Sequence, residues 1–217
     1  MTITPIIYKS EVTASSANNA VLPNISWQTY QAMLNDMGDQ RSILLAYYHG
    51  VLEIKMPLGL HEAINYLLER IIIALTEELD LGIRGFGSTT LNREDLAVGV
   101  EPDCCFYIQN YDRISGREID LAINPPPDLV VEVDITSPSN RRFAIYRELG
   151  VPEIWKYSAS SIRIYKLEAN EYLESEFSLA FPMVSSEVLN QFLQQSINDD
   201  NKLIREFRKW IREHINS

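Results

Sequence analysis

Two carboxylates, Glu132 and Asp134, interrupt the apolar run Leu129-Val130-Val131-Glu132-Val133-Asp134-Ile135. A third, Asp103, stands in the Glu101-Pro102-Asp103 turn that opens another apolar run, Cys104-Cys105-Phe106-Tyr107-Ile108. In an extended strand, side chains two apart share a face, so Glu132 and Asp134 project together with Val130 while Leu129, Val131, Val133 and Ile135 face the other way. Ionised carboxylates in a partly dry setting are costly unless a counter-charge meets them. A hard divalent cation that accepts several oxygens is a suitable partner, and the pattern reads as a metal site.

The elements that must position these acids follow from local pattern. Ser26 reads as the N-cap of a short helix through Leu34. Strands are predicted over Ile43–Tyr48 and Val51–Met56, turning at His49-Gly50. From His61 to about Leu79, apolar residues at Ala63, Ile64, Leu67, Leu68, Ile71, Ile72 and Leu75 keep helical spacing. Residues Ile83 to Ile108 read as two or three strands broken at Gly85, Gly87 and Gly99. Pro125 to Pro127 deliver the chain into the carboxylate strand, and Ser139 or Asn140 caps a helix that Gly150 and Pro152 stop at Leu149. Strands over Glu153–Tyr157, Ile162–Leu167 and Tyr172–Phe177 form a meander, and helices near Ser186–Leu193 and Asp199–Ile215 close the chain. This order predicts an α/β (α+β) fold, helices flanking one mixed sheet.

Composition bounds the function. The chain has 217 residues, 46% of them hydrophobic and 23% charged, enough for one domain with extensions. We divide it into a loosely ordered leader at 1–20, a main domain at 21–185 and a C-terminal helical extension at 186–217 that packs on the domain or on a second copy. Apolar windows fall short of the ~20 residues of a membrane span. The N-terminus lacks a signal-peptide pattern, so a cytoplasmic protein is expected. Adjacent Cys104 and Cys105 face opposite ways in a strand and read as buried thiols, with too few other ligands for zinc. The net charge of −11 argues against nucleic acid, since polyphosphate affinity rests on a basic footprint. A local basic patch remains in the last helix at Lys202, Arg205, Arg208, Lys209 and Arg212.

The spaced motifs carry a resemblance. Pro127-Asp128-Leu129-Val130-Val131-Glu132-Val133, Ser137-Pro138-Ser139, Tyr146 and Gly150-Val151-Pro152-Glu153-Ile154-Trp155 are similar to the Uma-type restriction endonuclease family of the PD-(D/E)XK superfamily. Upstream, Tyr48-His49-Gly50-Val51-Leu52-Glu53-Ile54, Pro57 and His61-Glu62 match as well, so the resemblance spans roughly residues 25 to 185. It implies a restriction-endonuclease-like fold and a Mg²⁺- or Mn²⁺-dependent endonuclease acting on DNA, with a homodimer where both strands are cut. It implies Asp103 and Glu132 as catalytic metal ligands, with Glu62 and His61 assisting at the helix start.

One departure matters. The lysine usual two residues after the second acid is Asp134 here, and the helix position that can substitute is Arg142. An arginine stays charged and cannot act as a base, but it can hold a phosphate. The resemblance therefore implies Arg142 and Tyr146, four apart on one helix side, as the substrate-binding pair, with a packed Tyr146 as the alternative, and Asp134 as an added catalytic ligand, a helper of a second ion or a solvated strand-end residue.

Plainer readings stand beside these. Asp103 can be a turn residue, Glu62 a first-turn acid favoured by the helix dipole, Glu53 a water-facing strand residue, and Arg141, Arg142 and Arg147 a solvated helix face. Besides the metal-dependent endonuclease, two alternatives are a nuclease-fold module that binds nucleic acid or protein without cutting, and a hydrolase of small phosphorylated substrates.

Overall fold

The computed structural model describes residues 19–38, 42–57, 59–116, 118–135, 140–195 and 199–215. The leader through residue 18 and the Ser137-Pro138-Ser139 motif lie outside them. The chain runs β1 (Asn19–Pro23), α1 (Trp27–Met37), β2 (Leu44–Tyr48), β3 (Val51–Lys55), α2 (Gly59–Glu78), β4 (Arg84–Phe86), β5 (Leu91–Arg93), β6 (Val98–Val100) and β7 (Cys104–Tyr107). It continues through β8 (Leu129–Asp134), α3 (Asn140–Leu149), β9 (Glu153–Ser158), β10 (Ser161–Glu168), β11 (Glu171–Ser175), α4 (Ser186–Gln195) and α5 (Asp200–His214).

Local chemistry sets the ends of several elements. The Ser26 hydroxyl accepts from the Thr29 amide and opens α1, and Asp199 accepts from Lys202 to open α5, each satisfying an amide that the helix leaves unpaired. The β2–β3 hairpin turns on His49 and Gly50, both left-handed, as a tight two-residue turn requires. Gly150, also left-handed, ends α3 as the sequence predicts.

The strands form two sheets where the sequence suggested one. Five antiparallel strands run in the order β1-β3-β2-β6-β5, and six in the order β11-β10-β9-β8-β7-β4. Among the described residues only β8 and β9 pair in parallel, Glu132 opposite Lys156, with α3 as the crossover between them. The stretch predicted as two or three strands holds four, because β5 and β6 join the first sheet while β4 and β7 join the second. Strands of three residues carry too short a period to be read from sequence. The predicted leader is also trimmed, since Asn19 and Ala20 already pair with β3.

Three apolar clusters hold these layers together. One packs Leu129, Val131 and Val133 of β8 against Leu68, Ile71 and Leu75 of α2 and against α4 and α5. A second joins the two sheets to α3 through Ala46, Val100, Cys105, Val130, Ile145 and Ile154. The third seats α1 on the smaller sheet through Tyr30, Leu45, Tyr47 and Leu52. Strand β8 is thus buried on both faces, with the alternation anticipated for its carboxylates. Cys104 and Cys105 are buried free thiols on opposite sides of β7, one in each of two clusters.

Candidate active site

The acidic face of β8 points toward the space between the two sheets, and side chains from five elements meet there. Asp103 enters from the bend before β7. Its Oδ2 accepts the Val133 amide at 2.6 Å, so a backbone bond to β8 sets its position. Glu132 is held from α3: Arg142 Nη1 donates to its Oε1 at 2.9 Å, and the Tyr146 hydroxyl makes a short bond to the same oxygen. Arg142 also donates to the Glu101 carbonyl at 2.8 Å and to Glu53 at 3.4 Å.

The decisive group is one that sequence reasoning passed over. Lys55, the last residue of β3, puts its ammonium among three carboxylates. Its Nζ lies 3.1 Å from Asp103 Oδ1 and 2.9 Å from Oδ2, 3.3 Å from Glu132 Oε2 and 3.5 Å from Asp134 Oδ1. Asp103 and Glu132 therefore converge on one atom, and that atom is a nitrogen of the protein itself. Lys156 of β9 completes the arrangement 3.0 Å from Asp134 Oδ2, its ammonium resting over the Phe143 ring. Four acids, Glu53, Asp103, Glu132 and Asp134, face three cations, Lys55, Arg142 and Lys156, and all are buried.

A signal for Lys55 was present. Glu53 and Lys55 are two apart at the end of a half-apolar strand, the same spacing as Glu132 and Asp134, and so share a face. Glu53 itself, read as water-facing, is buried and paired with Arg142 and Arg141, because β3 lies within the smaller sheet, which packs against α3. Arg142 belongs to that buried pairing and not to a solvated helix face.

The charges shift one another in consistent directions. Burial alone would raise the Asp103 carboxyl; the cations beside it, Lys55 above all and Arg142 further off, help to offset this and hold the group well below the ordinary carboxylate range. For Lys55, burial disfavours the ammonium, but Asp103 and Glu132 outweigh that and raise its pKa. Burial, followed by the Glu132 charge, pushes the Tyr146 phenol upward, so it stays a neutral donor.

The remaining expected residues fall in two places. Arg142 and Tyr146 lie behind Glu132, bonded to it and sealed from solvent. His61, buried at the start of α2, brings Nε2 to 3.0 Å from Asp103 Oδ2. The approach lacks the alignment of a hydrogen bond, and neither ring nitrogen has a hydrogen-bond partner. The Glu62 side chain is 64% exposed and near only the His61 ring of this group, at 3.5 Å. His61, Glu62, Asn65, Glu69 and Asp103 line a cavity of about 500 Å³, which Asp103 alone of the four clustered acids reaches. A second cavity of about 680 Å³ beside Trp27 and Arg93 is larger, but the Arg93 guanidinium there is already paired with Asp95.

The donor set suits a hard cation in kind, carboxylate oxygens with a buried imidazole alongside. As the side chains stand, however, no group of three or more His, Cys, Asp or Glu among the described residues is disposed to hold a metal ion. The distances give the reason. Mg²⁺ takes oxygens at about 2.0–2.1 Å, whereas these oxygens stand at ammonium distances round Lys55. With Lys55 in place the residues do not fit a divalent ion.

Sheet order, the acid pair on β8 and the α3 crossover define a restriction-endonuclease-like nuclease fold. The chain belongs to the Uma2 family, described as "Putative restriction endonuclease", whose pattern matches residues 27–197. Among solved structures it is similar to a putative nuclease belonging to DUF820 from Anabaena variabilis, with a TM-score of 0.54 and 17% identity over 78% of this chain and 99% of that one. At that identity the likeness shows the fold alone. No curated protein matches the chain.

Proposed function

We propose that this protein hydrolyses DNA phosphodiester bonds at the Asp103–Glu132–Asp134 cluster with the help of Mg²⁺ or Mn²⁺. The observation that carries this reading is the meeting of three carboxylates, Asp103 from the bend before β7 and Glu132 and Asp134 from β8, round a single point, with Asp103 also lining a cavity. A divalent ion there would be held by Asp103, Glu132 and Asp134, with His61 beside Asp103. When bound, such an ion lowers the pKa of water and polarises a phosphoryl oxygen.

The chain's own residues do the positioning. Arg142 and Tyr146 fix the Glu132 carboxylate so that Oε2 points at the shared site, while the Val133 amide fixes Asp103. Lys156 neutralises the outer oxygen of Asp134 and leaves the inner one free to act. In the folded arrangement Arg142 supports Glu132 from behind, a role that suits its burial better than direct contact with a phosphate. Cutting both strands would call for two copies. The apolar face of α5, which offered one pairing surface in the sequence, is turned to the protein's own core.

The test is plasmid nicking with Mg²⁺ and Mn²⁺, run beside Glu132→Ala. Wild-type protein is expected to nick in the presence of either ion and to stop on addition of EDTA, with Glu132→Ala at background. Nicking that persists in Glu132→Ala, or its absence in wild type with both ions, would reject the reading. One observation favours a second reading, a nuclease-fold module that binds without cutting: Lys55 already neutralises the acids. That reading expects DNA binding that survives EDTA and no nicking with any metal.

A further inference from the structure

We propose, building on the metal-nuclease reading above, that Lys55 is a built-in occupant of the divalent-ion site, and that metal and Lys55 ammonium compete for one nest of oxygens. The three inward oxygens, Asp103 Oδ1, Glu132 Oε2 and Asp134 Oδ1, all lie within 3.5 Å of Lys55 Nζ. Every other oxygen of these carboxylates has a further partner. Asp103 Oδ2 takes the Val133 amide, Glu132 Oε1 takes Arg142 and Tyr146, and Asp134 Oδ2 takes Lys156. The oxygens left for a ligand are thus the ones Lys55 occupies.

A second feature points to a ligand at the same place. His61 is 4% exposed, touches Asp103 and lines the cavity, yet both ring nitrogens lack hydrogen bonds. Buried polar atoms in folded proteins nearly always find a partner. An imidazole beside a carboxylate nest gains one when a cation enters, through the metal or through its water shell.

Exchange balances on charge as well as space. The four acids Glu53, Asp103, Glu132 and Asp134 outnumber Lys55, Arg142 and Lys156 by one, and a divalent ion in place of the ammonium offsets that remaining charge. Once displaced, Lys55 is the flexible cation nearest the reacting centre. It then supplies the positive charge that the motif otherwise lacks where Asp134 stands, without needing a lysine on β8. Lys55 is in this view a gate in the metal-free protein and a phosphate-facing group in the loaded one.

The experiment is calorimetric titration of Mn²⁺ into wild type and Lys55→Met, without DNA, so that it reads the ion and not cleavage. Lys55→Met is expected to bind Mn²⁺ at least about tenfold more tightly, because the competitor is gone. In wild type, Mn²⁺ is expected to raise the labelling of Lys55 by an amine reagent, measured by mass spectrometry, as the side chain leaves its pocket. The label reads the same displacement without a variant, so a Lys55→Met protein that fails to fold leaves the proposal open to refutation. Affinity equal to or weaker than wild type in folded Lys55→Met would overturn it, as would unchanged labelling on saturation with Mn²⁺, or a wild type that takes up no Mn²⁺ while Lys55→Met is unfolded. Tighter binding in Lys55→Met with no nicking by wild type would uphold competition while rejecting the nuclease.

Discussion

Arg142 is the residue whose burial most changes its meaning. A solvated guanidinium could be exchanged at little cost, but this one is 1% exposed and bonded to Glu132, Glu53 and the Glu101 carbonyl. Removing one member of a buried pair strands the others, at a cost of about 3–5 kcal/mol. Arg142→Ala should therefore lower stability by that order in urea melts, while Arg142→Met combined with Glu132→Gln should cost markedly less than the sum of the two single changes. Additive single effects would show that the two groups are not coupled. The same reasoning bears on Asp134. Placing the missing motif lysine there would bring a third ammonium to Lys55 and Lys156, so the familiar motif could not be restored without removing one of them.

Among the elements, α5 separates apolar packing from surface charge. Its Leu203, Ile204, Phe207 and Ile211 are buried in the main core, and Phe207 stacks on Trp210 and meets Phe192 edge-on. Its basic side chains Arg208 and Arg212 reach Glu77 and Glu78 of α2. The patch that looked free for nucleic acid is partly neutralised by the protein's own acids. Phe207→Ala should cost about 3–5 kcal/mol, whereas Arg212→Ala, whose guanidinium is largely exposed, should cost no more than about 1 kcal/mol. Urea midpoints of the two variants check this, and equal losses would mean that the charges, not the rings, seat the helix.

At the scale of the whole molecule, a chain of net charge −11 keeps a nearly balanced cluster at its centre, and global stability should report that balance against pH. Asp103 has its folded pKa below its unfolded one, so its contribution is present above the unfolded value of about 3.9 and fades as pH falls toward the folded value. Lys55 is raised, so its contribution is complete below about 10.4 and fades as pH climbs through the folded value. These two groups predict a plateau between roughly pH 4 and 10 with losses on both sides. Lys55→Met should flatten the alkaline limb and weaken the acid one, as measured by denaturant unfolding across the range. An unaltered alkaline limb would show that the ammonium contributes little. Among the described residues no helix is long and apolar enough to cross a membrane.

Helix α2, the β2–β3 hairpin, the β8 alternation and the α3 stop at Gly150 were all legible because each depends on a period or a turn within a dozen residues. Resemblance pointed to Arg142 and Tyr146 on α3 as substrate-binding residues, whereas in the fold both are buried and bonded to Glu132. The division into two sheets was not legible, since three-residue strands are assigned by partners far along the chain. Nor was the fate of the acid cluster. What the sequence determined by itself is that β8 would turn two carboxylates to one side, because alternation is a property of the extended backbone. That Lys55 from β3 and Lys156 from β9 would fill the space before those carboxylates was decided only by tertiary structure, because charges distant in sequence meet through sheet register and sheet packing, which no local pattern encodes.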